Sequence, residues 1–435
     1  VKRVAFHTLG CKVNQYETEA MERLFEEDDY MIVSEEELAD VYVINTCTVT
    51  NLSDRKSRQF IRRVKKLNED AIVAVVGCYS QVSPDEVAEI EGVDVIIGTS
   101  DRNRIVELCK IAETEGKKIN IVRDIKTYDN FENMEVDDIK SKTRAYIKVQ
   151  DGCNQYCSYC IIPYARGPIR SRNIEDIIDE VMALSKSGFK ELIITGIHVA
   201  SYGKDLGDID LGKLIYEISK VEGIERIRLS SVEPNLITHE FMDILTKTNK
   251  VCHHFHLSLQ SGSNRILKKM NRKYTREEYM DKVRLIRGYM PDAGITTDII
   301  VGFPGETELD FKETMEFVKE IGFSKIHVFK YSPRKGTPAA KYDNQVHGKI
   351  KNKRSRELIA LGEALTEEFN SRFIDRYMDI LYEEEIDGFY EGYTSNYIRV
   401  KTSSKDDIIG DIVKTKILDR ENGALHGEIR GWNNG

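Results

Sequence analysis

Three cysteines fall within eight residues in the stretch Gln150-Asp151-Gly152-Cys153-Asn154-Gln155-Tyr156-Cys157-Ser158-Tyr159-Cys160, a CxxxCxxC spacing. Three thiolates on one short loop can hold three irons of a cubic [4Fe–4S] cluster and leave the fourth iron without a protein ligand. An open iron suits chemistry, because a small molecule can bind there. The alternative is structural zinc, which pairs two C-x₂₋₄-C knuckles or adds histidines to reach four ligands. No fourth ligand lies near this loop in the sequence, so the ligand count favours the cluster.

Three more cysteines stand at matching places: Leu9-Gly10-Cys11, Asn45-Thr46-Cys47 and Val76-Gly77-Cys78. Each follows an apolar run of strand character, namely Val4–Leu9, Val41–Asn45 and Ala71–Gly77. Strand carboxyl ends of an open α/β sheet face one crevice, so thiols distant in sequence would meet there. The plainer reading is three buried structural cysteines; the repeated placement after a strand weighs against it. Cys109, in Val106-Glu107-Leu108-Cys109, reads as an ordinary core residue of a helix.

The elements that must position these groups follow from periodicity. Over residues 1–115, short apolar strands alternate with helices near Glu17–Glu27 and Asp54–Lys66, which predicts a doubly wound parallel α/β domain. Residues 116–142 are polar and charged and read as an inter-domain linker. From 143 to about 370, strands near Ala145–Val149, Glu191–Thr195, Arg226–Ser230, Phe255–Leu259, Thr297–Val301 and Lys325–Lys330 alternate with helices. Six such units suit a partial (β/α)6 barrel, whose chemistry lies at the C-terminal strand ends. The CxxxCxxC loop follows the first of these strands. Residues 371–435 hold five short strands between turn residues, which predicts a small antiparallel β-barrel.

Composition bounds the remaining choices. The 435-residue chain is 40% apolar and 31% charged, with a mean hydropathy of −0.42. No apolar run approaches a membrane span, and the first residues lack a signal peptide's apolar region and cleavage site. The expectation is a cytoplasmic protein whose eight cysteines are reduced. A net charge of −9 argues against coating nucleic acid through the bulk field, but local basic surfaces remain compatible with an RNA substrate.

Further segments sit at predicted strand ends. Gly196, in Ile194-Thr195-Gly196-Ile197-His198, would let a ligand approach the backbone. Glu233 would bind a ribose hydroxyl or an ammonium, or form an ion pair; sequence does not choose. Gln260 lies among the hydroxyl and glycine groups of Ser258–Ser263. Gly302 and Gly305 permit close approach to a flat adenine, or simply a tight loop.

In combination these motifs carry a family resemblance. His7 through Thr18, Asn45 through Asn51, Gly77-Cys78-Tyr79, Gly152 through Gly167 and Asp298 through Thr307 resemble the radical S-adenosylmethionine (SAM) methylthiotransferases over nearly the whole chain, including a C-terminal barrel like a TRAM domain of OB-like form. The continuation Lys12-Val13-Asn14, the segment Asp54–Gln59 and the tail Arg166–Arg172 are most similar to the MtaB branch, which acts on N6-threonylcarbamoyladenosine next to the anticodon of tRNA.

The resemblance implies that Cys153, Cys157 and Cys160 hold a SAM-cleaving [4Fe–4S] cluster, with Tyr159 part of that motif. It implies a second [4Fe–4S] cluster on Cys11, Cys47 and Cys78, whose open iron carries the sulfur to be transferred. One SAM methylates that sulfur; another yields a 5′-deoxyadenosyl radical that takes hydrogen from C2 of the adenine. An electron donor such as flavodoxin or ferredoxin, and a sulfur source, are implied as partners, and no residue beyond the cluster ligands is assigned a catalytic role. Candidate contacts to the tRNA anticodon stem-loop are the basic helix Arg55–Lys66, Arg166, Arg170 and Arg172, and, in the terminal barrel, Phe389, Tyr390, Tyr393, Tyr397, Arg399 and Lys401. For each of these a solvated face or a core role competes. Two other functions remain open: the same chemistry on another modified adenosine or on a ribosomal-protein aspartate, and a non-catalytic iron–sulfur RNA-binding protein.

Overall fold

A computed structural model describes residues 1–49, 51–134, 143–421 and 423–429. The first sheet comprises β1 (Arg3–Thr8), β2 (Met31–Val33), β3 (Val41–Thr46), β4 (Ile72–Gly77), β5 (Val95–Ile96) and β6 (Ile119–Asn120). They pair in the order β2-β1-β3-β4-β5-β6 and run parallel throughout. Alternate apolar residues of these strands feed two separate cores. Tyr42, Ile44, Val73 and Val75 pack on Phe60, Ile61 and Val64 of helix α2 (Asn51–Leu67). Val41, Val43, Ala74 and Val76 pack on Met21 and Phe25 of helix α1 (Lys12–Glu27) and on the helix Ile105–Glu115, which buries Cys109. Helices on both faces give the doubly wound arrangement.

The stretch expected to be a linker is folded as far as Met134. Residues 119–120 add β6 to the sheet, Ile125 is buried, and Met134 joins the large central core. Its polar composition misleads because it is anchored by few but buried contacts, such as Glu132 on Arg102 at 2.7 Å. The rest of the expected linker, 135–142, lies outside the described residues, as do Thr50, 422 and 430–435.

The second unit contains β7 (Arg144–Asp151), β8 (Arg170–Ser171), β9 (Glu191–Gly196), β10 (Arg226–Leu229), β11 (Ser231–Val232), β12 (His254–Leu257), β13 (Gly294–Val301) and β14 (Lys325–Lys330). The expected third strand is broken at Ser230, so the run divides into a sheet β10-β9-β7-β8 and a sheet β11-β12-β13-β14. A parallel bridge between Ile227 and Val251 spans the break. Apart from β8, which pairs antiparallel to β7, all partners are parallel, as an open β/α barrel requires. Helix starts are well capped: Thr275 and Thr307 each form a capping box, with Glu278 and Asp310.

A 24-residue helix, Gly348–Ser371, leads into the third unit. Here β15 (Tyr377–Ile386), β16 (Phe389–Thr394), β17 (Arg399–Thr402), β18 (Ile412–Glu421) and β19 (Ala424–Ile429) close into a barrel in the order β15-β16-β17-β19-β18. The barrel departs from the expected all-antiparallel form in one pair, β17 with β19, which is parallel. Tyr397, at the start of the strand that the sequence predicts over Tyr397–Thr402, instead has φ 68° and turns the chain before β17.

Candidate functional site

The CxxxCxxC loop leaves β7 through Gly152, whose φ of 74° lies in the left-handed region. A Cβ built there would stand 1.7 Å from the Pro168 carbonyl oxygen. Gly152→Ala is therefore expected to cost at least the ~1–3 kcal/mol of a strained backbone and to lower iron retention after reconstitution, measured by iron content and thermal melting. The loop is tied at its start and in its middle. Cys153 N–H donates to the Gly167 carbonyl at 3.0 Å, Ser158 N–H to Met270 at 2.9 Å, and Ala339 N–H to the Ser158 carbonyl at 2.8 Å.

The donor set suits an anionic sulfur group. Cys153 and Cys157 are buried, Cys160 half-buried, and none forms a disulfide. The Gln155 N–H approaches Cys153 Sγ at 3.5 Å, and Arg272 Nη1 donates to Cys157 Sγ at 3.2 Å. Burial pushes the Cys153 thiol up to about 11 and the Cys160 thiol to about 12. Iron binding must therefore displace the protons, and free thiols here are poor nucleophiles. A zinc site would need a fourth ligand, and among the described residues no group of three or more His, Cys, Asp or Glu side chains is placed to hold one metal ion. A four-iron cube asks less of the chain at any one point, since its thiolates sit on separate irons.

The positions expected to meet SAM divide. Glu233 is an ion pair in this structure: Arg272 Nη2 lies 2.6 and 2.7 Å from its two oxygens while the same guanidinium reaches Cys157. Arg272, which lies outside every motif noted in the sequence, thus joins the cluster loop to the end of β11. Gly196 packs on β7, where a Cβ would stand 2.9 Å from the Gln150 carbonyl oxygen. Gln260 has φ 72° and continues the β13 pairing through its backbone, accepting from Ile300 N–H at 3.0 Å. Gly302, with φ 72°, donates its N–H to Glu306, and Lys351 crowds its missing side chain at 2.4 Å. Tyr159 packs against the cluster of Ile266, Met270, Phe303, Tyr331 and Ala339.

The second three cysteines lie on neighbouring loops, as the sheet order requires. β1, β3 and β4 are adjacent and parallel, and Cys11, Cys47 and Cys78 follow their carboxyl ends. The point between β1 and β3, where the strand order reverses direction, is where such sheets bind ligands. The three loops touch. A Cβ on Gly10 would stand 2.8 Å from Cys47 Cβ, and one on Gly77 2.6 Å from the Thr46 carbonyl oxygen. Asn14 Nδ2 ties two of them by donating to Leu9 O at 2.8 Å and Thr46 O at 3.0 Å. Cys11 is exposed, and Cys78 is buried with Arg166 Nε donating to its sulfur at 3.2 Å. Burial pushes Cys78 up to about 12 against the pull of Arg166.

Arg166, Arg170 and Arg172 do not reach solvent, which corrects the expectation that they contact RNA. Arg166 is fully buried and bonds both oxygens of Glu17, Asn14 Oδ1 at 2.8 Å and the Cys78 sulfur. Arg170, 2% exposed, lies 3.8 Å from Asp151, and Arg172, 1% exposed, pairs with Glu180. Their counter-ions come from distant segments, so the run looks like a surface patch only in the sequence. The exposed cations lie elsewhere: Arg55, Lys56, Arg62, Arg63 and Lys66 on α2. In the terminal barrel, Lys401 and Arg399 pair with Glu391 at 2.5 and 3.5 Å, Tyr390 is buried, and Phe389 is exposed.

Between the barrel strands, the start of α1 and the terminal barrel lies a cavity of about 1100 Å³. Lys12, next to Cys11, forms part of its wall, as do Arg228, His256, Asp298, Tyr393 and Tyr397. Its wall does not include the CxxxCxxC sulfurs. His254 and His327, also on the wall, are held below the usual histidine range by burial, which keeps them neutral. Burial likewise lowers the Lys12 ammonium.

Comparison with known proteins agrees with these two units. Residues 147–318 match the Radical SAM superfamily, and residues 3–98 match Uncharacterized protein family UPF0004. The chain is 46% identical over 421 residues to the threonylcarbamoyladenosine tRNA methylthiotransferase MtaB of Bacillus subtilis, covering 95% of this chain and 93% of that protein. It is 41% identical to the Aquifex aeolicus protein of the same name, over 95% of this chain and 100% of that one. It is also 38% identical to the tRNA-2-methylthio-N(6)-dimethylallyladenosine synthase of Alkaliphilus oremlandii, over 98% and 93% of the two chains. Among solved structures, a radical S-adenosylmethionine methyltransferase, TsrM, from Kitasatospora setae shares the fold with a TM-score of 0.58 at 16% identity, over 78% of this chain and 77% of that one.

Proposed function

We propose that this chain, which belongs to the radical SAM methylthiotransferase family, places a methylthio group on C2 of the N6-threonylcarbamoyladenosine next to the anticodon of tRNA. The observation that carries the reading is the pair of cysteine triads, Cys153–Cys160 and Cys11/Cys47/Cys78, on loops joined through one buried guanidinium, Arg166. Cys153, Cys157 and Cys160 would hold the SAM-binding [4Fe–4S] cluster that the superfamily implies, and the second triad would hold an auxiliary cluster and the sulfur. When bound, these groups supply radical chemistry able to break a C–H bond that acids and bases leave untouched.

The chain's own residues do the positioning. Arg272 holds Cys157 and Glu233 in one arrangement and presents positive charge to the first triad. Asn14 and Arg166 fix the second triad against the barrel unit. The exposed basic face of α2 and the aromatic and basic residues of the terminal barrel suit contact with the RNA backbone and bases. An electron donor such as flavodoxin or ferredoxin and a sulfur source would complete the cycle, in the cytoplasm. No helix among the described residues is long and apolar enough to cross a membrane.

A second reading is kept by the 38% identity to dimethylallyladenosine-specific enzymes. Mass analysis of tRNA nucleosides from a strain lacking this protein separates the two. Loss of 2-methylthio-N6-threonylcarbamoyladenosine, with its unthiolated precursor accumulating, is expected. An unchanged level of that nucleoside would overturn the proposal.

A further inference from the structure

We propose that Lys12, with Arg144 and Arg228 behind it, forms an oxyanion subsite of the cavity that takes the carboxylate at the end of the substrate's N6 substituent. The inference rests on the tRNA reading above and adds the determinant of substrate choice. Around Tyr397 the structure gathers three cations, Lys12, Arg144 and Arg228, with Arg226 sharing the Glu191 carboxylate with Arg228. Glu191 is taken by Arg228 at 2.6 Å and Arg226 at 3.6 Å, and Glu383 by Arg144 at 2.8 Å. Arg226 spends its remaining donors on the carbonyls of Tyr393 and Asp379, at 3.1 and 2.7 Å.

Lys12 has no such partner. Its ammonium lies 5.7 Å over the Tyr146 ring, and among the described residues no carboxylate stands within ion-pair distance of it. The acids on the cavity wall are Asp298, which lies 3.4 Å from His256, and Glu363 and Glu367, and none of them pairs with Lys12 among the described residues. A partly buried cation left unpaired on the wall of a cavity favours an anionic ligand there.

The aromatic lining points the same way. Tyr397 is stacked on Tyr393 with centroids 5.0 Å apart, and the Arg144 and Arg228 guanidinium groups lie 5.6 and 4.6 Å from its ring. It holds the left-handed φ of 68° that a tyrosine rarely adopts, a strain kept where function needs it. Burial alone would raise its hydroxyl, yet Arg144 and Lys12 bring it below the usual tyrosine range. A carboxylate-bearing substituent fits this corner. A dimethylallyl group would leave the Lys12 ammonium buried beside hydrocarbon. A backbone phosphate offers the same oxyanion chemistry, so the test must tell base substituent from backbone.

Three anticodon stem-loop RNAs distinguish them: one with N6-threonylcarbamoyladenosine, one with the same group as its methyl ester, and one with unmodified adenosine. Equilibrium binding to the reconstituted holoenzyme is expected to favour the acid over the ester roughly tenfold or more, the scale of a charge-assisted hydrogen bond. Lys12→Met is expected to bring acid and ester to equal affinity while leaving the unmodified RNA unchanged, and Lys12→Arg to restore the preference. Equal binding of acid and ester by the wild type overturns the subsite. A uniform loss across all three RNAs in Lys12→Met assigns the lysine to a phosphate and overturns it too. Failure of the wild type to methylthiolate the acid RNA would instead overturn the functional reading, and the subsite with it.

Discussion

Cys157→Ala is expected to abolish 5′-deoxyadenosine release from SAM under reducing conditions, while Cys47→Ala leaves that release intact and stops methylthio insertion. The two substitutions strike loops of different origin. Cys157 lies in the loop after β7, with the Arg272 guanidinium 3.2 Å from its sulfur. Removing it leaves two thiolates, and the Arg272 guanidinium keeps Glu233 but loses its sulfur partner, so the cluster would lose one of its three protein ligands. Cys47 follows β3 in the other sheet and touches the Gly10 loop. Wild-type protein reconstituted anaerobically is expected to hold roughly eight irons per chain, two clusters of four, and each variant about half. SAM cleavage lost in Cys47→Ala would show that the two triads do not divide the labour in this way.

Much of this was legible because strands announce themselves by short apolar runs, and a cysteine immediately after such a run has its place fixed by the parallel sheet. Val41–Thr46 and Ile72–Gly77 fell within a residue of expectation, which put Cys47 and Cys78 on neighbouring loops. What stayed hidden depends on pairs far apart in sequence. Arg166, Arg170 and Arg172 read as a cationic surface because Glu17, Asp151 and Glu180 carry no mark of being their partners. Arg272 gave no signal at all, since its role exists only where the helix Asn264–Lys269 ends beside Cys157. The cationic corner of the cavity likewise needs α1, β7, β10 and the turn at Tyr397 brought together. Periodicity reports an element's own faces; it is silent on which distant charge a face will meet.

Glu17→Ala is expected to be the most destabilising single change away from the cysteines. Glu17 is fully buried on α1 and accepts from Arg166, from Lys148 at 2.7 Å, and pairs with Arg102 at 2.5 Å. The cluster holds four cations, Arg102, Lys148, Arg166 and Arg170, against Glu17, Asp151 and Glu132. That excess of one positive charge lies against Cys78, where a metal-bound thiolate would balance it. Deleting Glu17 raises the excess to two in a site closed to water. Breaking a buried pair in this way costs about 3–5 kcal/mol, a large part of a typical ~5–15 kcal/mol total, and reads out as a lower urea midpoint. Because Arg102 and Glu17 lie in the first unit and Lys148 and Arg166 in the second, the same change should loosen the seam between the two cysteine triads, seen as faster hydrogen exchange along β7. The charges also set a pH dependence. The cations beside Glu17 and Asp151 hold both carboxyls far below their ordinary 4.5 and 3.8, despite burial. The unfolded chain therefore takes up these protons first as pH falls, so the stabilisation is present above the ordinary carboxylate range and is lost progressively beneath it. In Glu17→Ala the acid limb of the stability profile should flatten between about pH 5 and 3. An unchanged limb would mean that Glu17 contributes packing rather than charge, and a midpoint within error of wild type would mean that the network is not what joins the two units.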